Sequence, residues 1–118
     1  MFTSSSDLGK GNKFDFTGDW ECPNLYGNMN ICLTMIHNTY NNTVKVEYLV
    51  NYRLWTYENA KGWVENNTLH ILQSSDDGSF IEIIATPINR TTIKGTLKYK
   101  NPRGKYNGKL IMNYVNTD

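Results

Sequence analysis

The stretch Phe14-x-Phe16-x-Gly18-x-Trp20 sets an apolar side chain or a glycine at every second residue. Strand side chains alternate faces with period two, so these four residues share one face while Asp15, Asp19 and Glu21 share the other. Similar alternation recurs down the chain, and no segment keeps a helical i, i+3, i+4 pattern for three turns. The chain therefore reads as all-β.

The pattern predicts eight strands. The first spans about 14–22 and the second about 29–37, with Met29, Ile31, Leu33 and Met35 on one face. The third, about 43–56, turns Val44, Val46, Tyr48, Val50, Tyr52 and Leu54 one way. A hairpin follows, 62–65 returning as 68–72 around Asn66-Asn67, since asparagine tolerates positive φ. The sixth strand, about 80–87, is apolar on both faces, so periodicity alone does not assign its inward set. The last two, about 91–100 and 105–115, are joined by Asn101-Pro102-Arg103-Gly104, which matches a type I turn position by position.

Eight sequential strands, each with one apolar face, form a core and lose their unpaired edges by rolling into an antiparallel up-and-down barrel. An open sandwich is the alternative. With 118 residues the chain fits one domain: a flexible leader over 1–12 and a single β-barrel domain over 13–118. The leader has no apolar signal-peptide core, which suggests a cytoplasmic protein, or a secreted one if a signal was removed. No apolar run approaches the roughly 20 residues of a membrane span.

Phe16-x-Gly18-x-Trp20, followed by a meander of strands, resembles the calycins, the superfamily of lipocalins, fatty-acid-binding proteins and avidins. The resemblance implies a lipocalin-like barrel whose Trp20 closes one end. Lipocalins usually pair that tryptophan with a late arginine, which the eighth strand here lacks. Fatty-acid-binding proteins insert two helices where only Trp20 to Met29 is available. Avidins match best in length, and Thr17-Gly18-Asp19-Trp20 is similar to their opening, but the later tryptophans of the biotin site have no counterparts at that spacing.

Two functions follow, neither an enzyme. In the first, the barrel is a binding protein for a small, mostly apolar or amphipathic ligand, walled by Trp20, Tyr48, Tyr52, Tyr99, Met112 and Tyr114, whose rings and hydroxyls suit such a molecule. In the second, it is a small interaction or inhibitor module that meets an anionic macromolecule through the basic outer face of strands seven and eight. Its contacts would be Lys94, Lys98 and Lys100, with Trp55 and Trp63 as exposed anchors. No acid occurs from residue 83 to 117. Nucleic acid is not the expected partner, because the outer face of strand seven carries no aromatic group for stacking. In a closed barrel, Lys105 and Lys109 would pair with Asp15, Asp19 and Glu21 across the seam.

Other chemistry is sparse. Glu82 is the one carboxylate within an apolar run and would serve as an acid or base only if it faced inward. His37 and His70 are expected at the surface or rim, and no spacing indicates a metal, cofactor or catalytic set. If the first hairpin centres on Gly27, Cys22 faces Cys32 and a disulfide is feasible. A half-residue shift instead buries the apolar face of the second strand and leaves free thiols, the favoured outcome.

Overall fold

The computed structural model describes residues 14–26, 29–51, 55–57, 60–74, 78–102 and 104–115; the expected leader lies outside them. The chain forms β1 (Gly18–Tyr26), β2 (Met29–Asn38), β3 (Thr43–Asn51), β4 (Trp55–Tyr57), β5 (Lys61–Glu65), β6 (Thr68–Ser74), β7 (Phe80–Asn89), β8 (Thr92–Asn101) and β9 (Gly104–Tyr114). All pairings are antiparallel, and β1 meets both β2 and β9, which closes the wall. β5 runs beside Thr43–Lys45 of β3 and β4 beside Leu49–Asn51, so these two share one place. The result is a closed eight-stranded up-and-down barrel. No helix among the described residues is long and apolar enough to cross a membrane.

The third expected strand is thus two elements. The chain reverses between Asn51 and Trp55, and Trp55 pairs back onto Asn51. Tyr52 and Leu54, which carry the alternation past Asn51 in the sequence, lie outside the described residues. A register shift between Thr34 and Met35 also places Tyr48 across from Thr34 and Leu49 across from Leu33. A bulge of this kind advances one strand by a residue, so the register counted from Val46 does not carry along the rest of β3.

Elsewhere the local chemistry explains the elements. Asn66 and Asn67 both take positive φ, 53° and 59°, giving the tight β5–β6 turn its handedness. Asn101 pairs with Gly104, so the Pro102 turn joins β8 to β9. The first hairpin pairs Cys22 with Ile31 and Glu21 with Cys32, which puts the thiols on opposite faces, and both are free. β7 buries Ile81, Ile83 and Ala85, leaving Glu82 half-buried on the outer face. Gly95 permits a close approach of β8 to β7: a Cβ there would collide with the Ile84 carbonyl oxygen and lie 2.6 Å from the Ala85 Cα.

The core runs along the barrel axis, with Leu33, Met35, Ile71, Ile81, Ile83, Leu97, Leu110 and Met112 each 0–1% exposed. An eight-stranded barrel has an interior just wide enough for side chains to fill. At about 25 cal/mol per Å² of apolar surface, this packing is the main source of stability.

Candidate functional site

One end of the barrel is packed shut. Phe14 to Thr17 precede β1 without forming strand, a departure from the expected start at Phe14, and they fold across the opening. Trp20, 1% exposed, donates its indole N–H to the Phe16 carbonyl at 3.0 Å. Phe14 meets Phe16 edge-on at 4.7 Å between centroids, and Tyr114 meets Trp20 edge-on at 5.4 Å. Tyr114 crosses directly over Gly18, whose φ of +136° and missing Cβ make room for the ring. A Cβ there would sit 2.5 Å from Tyr114 Cε1. The spacing of Gly18 and Trp20 is therefore a packing requirement of this end.

His37 is buried in the same plug, contrary to the rim position expected. Its Nδ1 accepts the Phe16 backbone N–H at 3.2 Å, which leaves Nε2–H to donate to Asn42 Oδ1 at 3.3 Å. The His37 N–H donates to Thr17 Oγ1 at 2.9 Å, and Asp15 Oδ1 lies 3.9 Å from Nδ1. His37 shares parity with Leu33 and Met35, a signal that would have found it.

The residues expected to wall a ligand do not converge. Trp20 and Met112 lie in the packed interior, and Tyr114 caps the plug with 43% of its surface exposed. Tyr99 and Tyr106 are half-buried against the core at the opposite end, where Tyr106 lies over Gly108. The Tyr48 side chain and all of Tyr52 lie outside the described residues, as does the side chain of Trp55.

The outer wall has a different character. Lys94, Lys98 and Lys100 of β8 and Lys105 and Lys109 of β9 are all exposed. Cross-strand pairing sets Lys100 against Lys105, Lys98 against Asn107, and Lys109 against Thr96. The expected seam pairs do not form. Glu21 is opposite Asn113, four residues along β9 from Lys109, and Asp19 accepts the Thr34 hydroxyl at 2.8 Å. Glu82 faces Lys98 across β7–β8 without an ion pair. Among the described residues none of the five lysines has an ion-pair partner.

Further round the same wall, Trp63 of β5 and His70 of β6 stack with centroids 5.0 Å apart and planes 3° from parallel. Trp63 is 38% exposed. Cross-strand pairing continues that row through Ile84 and Thr96 to Lys109. The neighbouring row carries Lys61, Leu72, Glu82 and Lys98.

The thiols offer little reactivity. Burial pushes Cys22 above its ordinary value of 9.0, against a weaker opposing hydrogen bond from the Ile111 backbone. Burial also raises Cys32, and the Glu21 carboxylate beside it adds to the effect. No three His, Cys, Asp or Glu side chains converge among the described residues. No protein-family model, curated protein or solved structure matches the chain.

Proposed function

We propose that this chain is a non-enzymatic binding module that holds an anionic macromolecular partner on the basic outer face of β8 and β9. The observation carrying this is the row of five exposed lysines with no ion-pair partner among the described residues, on the stretch of wall that the seam acids do not reach. Lys100 and Lys105 stand directly opposite, an arrangement that costs stability unless something anionic sits between them. The closed barrel supplies a rigid platform, and Gly18 and Trp20 at its plugged end support a calycin-like assignment for it. A heparin column tests this. Wild type is retained at physiological salt, whereas Lys98→Gln/Lys100→Gln/Lys105→Gln, still folded by circular dichroism, flows through. Equal elution of the two proteins would overturn the proposal.

A second reading has its own observation. Tyr99 and Tyr106 are half-buried against the core at the end opposite the plug, where a small amphipathic ligand would enter a lipocalin-like barrel. Native mass spectrometry of freshly purified protein tests it: a co-purifying small molecule lost in Tyr99→Ala supports it, and a bare mass excludes it.

A further inference from the structure

The exposed Trp63–His70 stack and the unpaired lysines lie on one wall of the barrel, and no interaction within the described chain accounts for both. Resting on the binding module above, we infer that its anionic partner is a single-stranded nucleic acid. A base stacks against Trp63 and His70, and the backbone follows the lysines of β8 and β9.

Three features select this partner. Aromatic faces bind bases of any identity, because every base has a π surface, and ammonium groups at intervals track phosphates without reading sequence. Nucleic acid is set aside by sequence alone because strand seven carries no outward aromatic; folding brings two such rings in from β5 and β6. His70 and Lys98 are two strands apart and one row out of step, about 12 Å by sheet spacing. An extended lysine side chain brings that within the span of neighbouring nucleotides.

The basic groups of this face are lysines, which bind phosphate as point charges and are depleted from the centres of protein interfaces. Among the described residues the barrel wall presents no helix or projecting ribbon to enter a duplex groove. Among the described residues, Glu82 beside Lys98 and Glu65 beside Trp63 are the acids on this wall. They limit affinity and leave the lysine face the stronger field.

Fluorescence anisotropy with a labelled 15-mer oligothymidylate tests the inference, run beside a labelled poly-glutamate peptide and phosphatidylserine vesicles. Five lysine–phosphate contacts predict a slope of log affinity against log salt of about −3.5. Trp63→Ala should weaken the oligonucleotide about 5- to 150-fold, the effect of losing one stacked base, while leaving the slope and the peptide affinity unchanged. Trp63→Phe should recover most of the loss. Lys98→Glu/Lys100→Glu should weaken both polymers and flatten the slope. Oligonucleotide binding that ignores Trp63, or peptide or vesicle binding at least as tight as that of the oligonucleotide, overturns the nucleic-acid assignment and leaves the basic binding face standing. If none of the three anions binds, the binding face falls with it.

Discussion

Trp20 and Trp63 are the same residue with opposite fates. Trp20 is enclosed, its N–H is held by the Phe16 carbonyl, and Tyr114 packs edge-on against it. Trp63 stands on the outer wall, stacked on His70. The histidines divide the same way: His37 has both ring nitrogens in hydrogen bonds inside the plug, whereas His70 lies on the wall. The plugged end is bound by contacts that stabilise this chain. The wall carries groups whose charges and rings do little for it, the distribution expected of a surface that serves a partner.

The largest effect should come from removing one tryptophan at a time. Trp20→Ala leaves a cavity among Phe14, Phe16 and Tyr114, and core truncations of this size cost about 3–5 kcal/mol. By calorimetry the melting temperature should fall by roughly 10–25 °C. Trp63→Ala loses one cross-strand ring pair, worth about 0.2–1 kcal/mol, and should melt within about 5 °C of wild type. Similar losses in the two variants would abolish the distinction between plug and wall.

That distinction was only half legible in the sequence. Period-two alternation placed Phe14, Phe16 and Trp20 inside and located six of the eight wall places closely, and turn chemistry placed the last hairpin at Pro102. Two of the failures depend on how strands pair rather than on the pattern within one strand. The bulge at Thr34/Met35 is fixed by how β2 meets β3, and no residue type announces it. The seam register sets Glu21 against Asn113 rather than near Lys109; without a connecting turn, nothing local pins it. The Trp63–His70 stack follows from a correctly read hairpin. Its place beside the lysines needed the whole barrel.

The histidines give the next largest contrast. His37→Ala leaves the buried Phe16 N–H without its acceptor, a loss of about 1–3 kcal/mol in urea denaturation. His37→Asn, which keeps an oxygen near the position of Nδ1, should recover part of it. His70→Ala leaves no buried backbone group unpaired and should cost under about 1 kcal/mol. An equal cost for His37→Ala and His70→Ala would mean that the plug latch contributes nothing.

Smaller still, and opposite in sign, is Lys100→Glu. It replaces the like-charge pair with Lys105 by an opposite-charge one and should stabilise the protein by about 0.2–1 kcal/mol, shrinking as salt is raised. The same change should weaken binding of a polyanion. A substitution that improves the fold while damaging binding separates wall from plug, since at the plug both properties should move together. Destabilisation by Lys100→Glu would show that the lysine row serves the fold after all.

The smallest effect divides the two thiols, which sit on opposite faces of one hairpin. Both are raised in the folded state above their ordinary value of 9.0. The unfolded chain therefore loses these protons first as pH rises, and the stability they contribute is whole below about pH 9 and is lost as pH climbs through the folded values. Cys22→Ala and Cys32→Ser should each flatten part of that alkaline decline, read from urea midpoints across pH 8–11. Burial is the first cause for both, Glu21 adds to it at Cys32, and Glu21→Gln tells the two thiols apart. Removing that carboxylate lowers the Cys32 value and speeds its alkylation by iodoacetamide, because the thiolate is the nucleophile. Cys22 is raised by burial on the other face and should react no faster. If Glu21→Gln speeds both thiols equally, the variant has loosened the hairpin as a whole, and the separation of its inner and outer faces does not hold.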